Sequence, residues 1–196
     1  MNQDMYLKIM DALVEDGYIV LKDALSKELC SSLLQDAQNQ KSFKSAGISS
    51  TNKLHIDRSK RSDKTIWLDE DGGAKSEYLM FSAELRDKLN QELYLGIKYY
   101  EAHYALYEEG DFYEKHLDAF KGSKNRVVTT VLYLNEEWDE SKGGELIVYN
   151  QEDEKIAKVI PNAGTLVVFL SDKFPHEVLP AKVKRHSIAG WFRIDK

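Results

Sequence analysis

Asp111-Phe112-Tyr113-Glu114-Lys115-His116-Leu117-Asp118 is the stretch on which the reading of this chain turns. It follows the turn signal Glu109-Gly110-Asp111 and reads as a strand. Side chains at i and i+2 of a strand point to one face, so His116 and Asp118 converge on one point. An imidazole and a carboxylate so placed are two adjacent ligands of a metal and leave a third to be found. Sixty residues later, Phe174-Pro175-His176-Glu177-Val178 offers His176 in a strand flanked by a proline turn.

Two histidines and a carboxylate on one face of an iron leave room for a bidentate cosubstrate and O₂, the arrangement of non-haem Fe(II) oxygenases. His-x-Asp also arises by chance, and a structural role for these histidines stays open on spacing alone. Nine residues after His176 comes Arg185, in Val183-Lys184-Arg185-His186-Ser187-Ile188-Ala189-Gly190-Trp191. Alternation puts Val183, Arg185, Ser187, Ala189 and Trp191 on one face. An arginine on such a face is costly to bury unpaired. A dicarboxylate ligand would pair it through two charge-assisted hydrogen bonds, and so would an internal Asp or Glu. Tyr133 shares a strand face with Val127, Thr129 and Val131, and its hydroxyl also needs a partner, from a ligand or from backbone.

Outward from this centre, the runs 99–108, 111–118, 126–135, 144–150, 155–160, 164–170 and 183–194 are rich in β-formers and separated by turns. Many short strands at close spacing suggest a sandwich or barrel, a group that includes jelly rolls. The first third is helical in pattern: Tyr6, Ile9, Met10, Leu13 and Val14 recur at helix spacing and Gly17 supplies a stop. A short β-rich run covers 17–22. Ser26 caps a second helix with Leu29, Leu33, Leu34 and Ala37 on its stripe. Thr65 to Leu68 reads as a strand, and Ser82 as the cap of a third helix carrying Leu85, Leu89 and Leu93. Between them, 41–64 is polar and partly basic (Lys53, Arg58, Lys60, Arg61, Lys64) and reads as a long loop, often a functional cover. The expected layout is α+β, one domain over 1–196. Residues 1–98 give helical support and a substrate-side loop, and 99–196 the β core.

With 196 residues, 42% of them hydrophobic and 31% charged, the composition is that of a globular domain. The net charge of −6 argues against a general nucleic-acid binder. Cys30, the single cysteine, reads as a buried structural thiol. No secretory signal or membrane-length apolar run is visible, so a cytoplasmic location without membrane contact is expected.

Taken together, these residues resemble the 2-oxoglutarate- and Fe(II)-dependent dioxygenases, in the prolyl hydroxylase branch. The likeness is above all to the hypoxia-inducible-factor prolyl hydroxylases and their bacterial relatives. It is carried by Arg61–Trp67, Tyr107–Asp118, Arg126–Asn135 with Trp138-Asp139, Gly143-Gly144, Pro175–Val178, Arg185 and Trp191, in that order. The resemblance implies a double-stranded β-helix (jelly-roll) core with the N-terminal helices packed on one sheet. It implies iron held by His116, Asp118 and His176. Arg185 would bind the distal carboxylate of 2-oxoglutarate, helped by Tyr133, with Tyr107 lining that pocket. Arginine at 185, where collagen-type prolyl hydroxylases generally carry lysine, places the chain nearer the hypoxia-factor branch.

The implied cofactors are Fe(II), 2-oxoglutarate and O₂, with ascorbate as a candidate reductant, and the implied products are succinate and CO₂. The implied partner is a protein containing a target proline. Residues 47–64 would form a loop closing over it. Asp63 and Arg126 fall where that branch has an ion pair tying the loop to the core, and Arg126 and Trp191 are candidates for the substrate groove. Three other readings are a hydroxylase of a free amino acid, a cupin-like metal protein without 2-oxoglutarate, and a non-catalytic β-sandwich module.

Overall fold

The structure, a computed structural model, describes residues 3–50, 53–55, 57–70, 72–119 and 125–195. In chain order the elements are α1 (Gln3–Glu15), β1 (Tyr18–Leu21), α2 (Lys27–Asn39), β2 (Lys44–Ser45), β3 (Ile48–Ser50), β4 (Lys53–His55), β5 (Lys64–Trp67) and α3 (Gly73–Leu93). There follow β6 (Tyr99–Tyr107), β7 (Tyr113–His116), β8 (Arg126–Tyr133), β9 (Leu146–Tyr149), β10 (Lys155–Val159), β11 (Leu166–Leu170), β12 (His176–Val178) and β13 (Arg185–Arg193). A large sheet runs β1-β11-β8-β13-β6-β5-β2 and a small one β10-β9-β12-β7, with β3 and β4 a separate hairpin. The two faced antiparallel sheets and the helices on one of them are the jelly-roll layout that the resemblance implies.

β13 organises the large sheet. It pairs with β6 along its whole length (Arg185↔Tyr107 to Arg193↔Tyr99) and with β8 from Ser187↔Tyr133 onward. Its alternation sends Ile188 and Phe192 into a core shared with Tyr104, Leu132, α1 (Ile9, Leu13), α2 (Leu33) and α3 (Phe81, Leu85). Arg185, Ser187, Ala189 and Trp191 face the cavity between the sheets instead. A second core of Val148, Phe169, Phe174 and Val178 closes the sheets beside that cavity.

Several expectations shift. Val14 lies at the edge of the α1 stripe and is 69% exposed. Ser82 does not start α3; the helix begins at Gly73 and Ser82 is interior, its Oγ donating to the Tyr78 carbonyl at 3.0 Å. The apolar stripe simply continues upstream through Tyr78 and Phe81, and a serine bonding back one turn is tolerated there. Val183 precedes β13 and is exposed, so it does not share the Arg185 face. The 41–64 segment is not a plain loop: β2 pairs with β5, and β3 with β4. Residues 51, 52 and 56 of that segment lie outside the described residues. Strands from the first 98 residues also enter the large sheet, β1 on β11 and β5 on β6.

Gly190, on the helix face of β13, is required by packing. A Cβ there would lie 2.0 Å from the Tyr100 hydroxyl, which sits between Tyr78 (2.7 Å) and Thr130 (2.8 Å) in a buried chain. Gly190→Ala is expected to lower the unfolding free energy by about 1–3 kcal/mol, the range for overpacking a filled core, measured by urea denaturation.

Candidate active site

A cavity of about 800 Å³ lies between the sheets, and its wall brings together most of the residues singled out in the sequence. His116 on β7 and His176 on β12 are direct cross-strand partners, so their side chains leave the small sheet on the same face. Each ring is oriented by backbone: Nδ1 of His116 donates to the Glu114 carbonyl at 2.7 Å, and Nδ1 of His176 to the Phe174 carbonyl at 3.0 Å. A carbonyl can only accept, so both Nε2 lone pairs are left for a metal. Asp118 lies past the end of β7, not on it as the spacing predicts, yet its carboxylate still arrives. Thr129 Oγ1 on β8 donates to it at 2.8 Å, and its oxygens stand 3.8 Å from His116 Nε2 and 3.7 Å from His176 Nε2.

The three ligand atoms lie within 4.8 Å of one another, a donor set that fits a divalent iron. Burial, reinforced by His176, lowers the His116 imidazole to about 3 against the pull of Asp118. Burial opposes ionisation of Asp118, but His176, His116 and Arg126 together hold its carboxyl below its ordinary value. A neutral imidazole and an ionised carboxylate are the forms that bind metal.

At the other end of the cavity Arg185 is 1% exposed. Its Nη1 donates to Ser187 Oγ at 3.3 Å, its Nε has no partner, and no carboxylate pairs with it among the described residues. Its guanidinium carbon lies 4.6 Å from the centre of the Tyr107 ring and 5.0 Å from that of Tyr133. The Tyr133 hydroxyl is fully buried and, among the described residues, has no partner other than the neighbouring Arg185. Burial raises its ionisation above the ordinary phenol range while the neighbouring Arg185 pulls it back. Two features, neither given a role in the sequence reading, hold Arg185 in place. Asn135 accepts from the His186 backbone N–H at 2.6 Å and anchors the start of β13. Gly144 leaves the space beneath: a Cβ there would lie 2.9 Å from Arg185 Cδ. Trp138 Nε1 pins that corner by donating to the Gly143 carbonyl at 2.8 Å.

The expected Asp63–Arg126 ion pair is not formed. Asp63, wholly buried, takes Arg61 Nε at 2.6 Å and Nη2 at 2.9 Å. Arg126 instead reaches Glu101 at 3.1 Å and lies over the Trp191 ring at 3.8 Å. Arg61 helps to tie the 41–64 segment to the core, beside the backbone bonds of Lys60 and Ser62 to Glu114 and Phe112: it also donates to the Gly47 carbonyl at 3.4 Å and covers the Tyr113 ring at 4.4 Å. Tyr113 in turn stacks on His116, centroids 3.6 Å apart. The i, i+2 spacing of Arg61 and Asp63 was the available signal, since it places both on one side of an extended chain.

A His-Asp-His set facing an unpaired arginine across a jelly-roll cavity is the arrangement that the resemblance to 2-oxoglutarate- and Fe(II)-dependent oxygenases implies. Residues 102–193 match the 2OG-Fe(II) oxygenase superfamily. Human prolyl hydroxylase EGLN3 is 33% identical over 176 residues, covering 83% of this chain and 67% of its own length. Egl nine homolog 1 of Rattus norvegicus is 36% identical over 85 residues, only 25% of its length. A Pseudomonas putida prolyl-4-hydroxylase superposes with a TM-score of 0.89 at 35% identity, covering 98% of this chain and all of that one. A Trichoplax adhaerens prolyl hydroxylase, solved with a hypoxia-inducible-factor oxygen-degradation-domain peptide, gives 0.86 at 25% identity, covering 97% of this chain and 89% of that one. The chain belongs to the prolyl hydroxylase family, dioxygenases that work with Fe(II), 2-oxoglutarate and O₂. The cupin-like and non-catalytic readings are set aside by this membership.

Buried imidazoles set an acid limit on the fold. Burial first, then Arg61, lowers His103 from 6.5 to about 3; burial, Lys184 and Arg185 lower His186 to about 4. Below pH 6.5 the unfolded chain takes up protons that these rings refuse. The metal-free protein is therefore expected to lose stability as pH falls from about 6.5 toward 4, each ring contributing up to about 1.4 kcal/mol per pH unit. Urea midpoints at stepped pH read this directly, and a flat profile across that window contradicts it.

Proposed function

We propose that this enzyme hydroxylates a prolyl residue within a polypeptide, with release of succinate and CO₂. The observation that carries the cosubstrate assignment is Arg185: a fully buried guanidinium without a carboxylate partner among the described residues, beside the buried hydroxyl of Tyr133. Burying such a charge alone costs several kcal/mol, and removing it from water makes sense when a ligand brings the counter-charge. Arg185 and Tyr133 would hold the distal carboxylate of 2-oxoglutarate, with Tyr107 as the adjacent wall. His116, Asp118 and His176 would hold Fe(II). Bound there with 2-oxoglutarate and O₂, iron supplies the oxidising power that puts oxygen into an unactivated C–H bond.

The protein residues do the rest by placement. The Nδ1 hydrogen bonds keep both imidazoles aimed at the metal, and Thr129 keeps the Asp118 carboxylate turned toward it. The polypeptide reading is supported by the family and by a cavity at the upper end of the small-ligand range, about 300–1,000 Å³. It is also supported by the mouth that Trp191, Arg126 and the Asp63-anchored segment make around it. Free amino acids are the less favoured substrates. A cytoplasmic setting is part of the same proposal, since Cys30 is buried and needs no partner.

Anaerobic titration of the Fe(II)-loaded protein with 2-oxoglutarate, following the visible charge-transfer band, tests the site. Wild type should saturate. Arg185→Ala should need roughly 100-fold or more cosubstrate, the loss of two charge-assisted hydrogen bonds, while its Fe(II) affinity stays close to wild type. Unchanged cosubstrate affinity would sink the Arg185 role. His176→Ala should give no band, because iron loses a ligand, and mass spectrometry of a turned-over peptide should place the added oxygen on proline.

A further inference from the structure

His103 has no part in the chemistry above, yet it lines the same cavity and is 4% exposed. It sits on β6 four residues before Tyr107, about 13 Å along the strand from the row that receives the cosubstrate. Its cross-strand neighbours are Trp67 on β5 and Ala189 on β13. The imidazole is held between two indoles, 5.4 Å from the Trp67 ring and 5.2 Å from the Trp191 ring, centroid to centroid. It is thus at the substrate end, in a wall it shares with Trp67, Ala189, Val131, Thr129, Trp191 and the Arg126 that lies over Trp191.

The tautomer follows from one contact. His103 Nδ1 lies 3.2 Å from the Tyr104 carbonyl, which can only accept, so Nδ1 carries the hydrogen. Nε2, on the other edge of the ring, is then a bare acceptor, and no side chain among the described residues donates to it. Burial and the cations of Arg61 and Arg126 keep the ring neutral down to about pH 3. An acceptor on the wall of a cavity stays paired only if the molecule that displaces water from it brings a donor.

We propose that His103 is a specificity-determining residue whose Nε2 accepts a hydrogen bond from a main-chain N–H of the substrate polypeptide. This rests on the polypeptide reading above. Proline within a chain has no N–H, so the donor belongs to a residue flanking the target proline. The contact therefore selects a proline in a particular chain context and disfavours poly-proline, which has no N–H to offer. A substrate carbonyl or carboxylate at the same place would meet a lone pair.

The test uses the Fe(II)- and 2-oxoglutarate-loaded protein without oxygen, and calorimetric binding of blocked single-proline peptides. The panel includes the hypoxia-inducible-factor degradation-domain peptide bound by the Trichoplax adhaerens enzyme. Wild type is compared with His103→Phe, which keeps a ring between the indoles and removes the acceptor, and with His103→Gln, which restores one. Each variant's charge-transfer titration with 2-oxoglutarate confirms an intact cosubstrate site. Expected is about a tenfold loss of peptide affinity in His103→Phe, the scale of one hydrogen bond, with part of it recovered in His103→Gln. N-methylation of one flanking amide should cost wild type a similar factor and His103→Phe nothing further. Equal affinity of wild type and His103→Phe, or indifference of wild type to N-methylation at every flanking amide, would overturn the role of His103 alone. No panel peptide binding to wild type that saturates with 2-oxoglutarate would overturn the polypeptide reading, and this inference with it, leaving the oxygenase assignment in place.

Discussion

β13 lies under a constraint that the rest of the molecule obeys: one nine-residue strand must satisfy two unlike environments at once. Its even positions 188 and 192 go into the core with the three helices, and its odd positions 185 to 191 line the cavity. Because the side-chain period of a strand is two, a slip of one residue would put Arg185 into the helix core and Ile188 into the cavity. The register is held from both sides by β6 and β8, and at its start by the Asn135 clasp on the His186 backbone. The helices thus serve the chemistry indirectly, by making every other register of the strand expensive.

The cavity itself separates charge along its length. At one end a carboxylate and two imidazoles converge with no cation in ion-pair contact with that carboxylate among the described residues, and at the other a cation lies buried without a carboxylate. Neither end pairs with the other, because they sit on opposing sheets across the cavity. Each end is incomplete in a way that an iron ion and a dicarboxylate complete. A hydrophobic filling would be more stable, and the protein forgoes it so that both ligands are drawn in by the same desolvated field.

The third structural theme is the contact between the 44–64 segment and the metal ligands. Asp63, Arg61, Tyr113 and His116 form one continuous stack of ion pair, cation-over-ring and ring-on-ring. The segment at the cavity mouth is therefore in physical contact with one of the metal ligands. Arg126, freed from the pairing expected of it, is held by Glu101, which also takes Arg193 at 2.9 Å. Arg126 is thereby kept flat over Trp191 at the substrate end.

The sequence by itself determined the chemical parts. Spacing singled out His116, Asp118, His176, Arg185 and Tyr133 as candidates while leaving structural roles open, and it was the resemblance carried by the ordered motifs around them that gave them ligand roles. Local signals were also enough for α1, the Ser26 cap and most of the strands. What only the tertiary structure decided is which distant residues meet. Asp118 reaches the metal site through Thr129 and not through strand geometry, Asp63 pairs with Arg61 and not Arg126, and His103 falls between Trp67 and Trp191. For Asp118 and His103 the outcome depends on the register between strands far apart in sequence, whereas Asp63 takes a partner only two residues away. Register is set by how the two faces of β13 are filled, which no local pattern encodes.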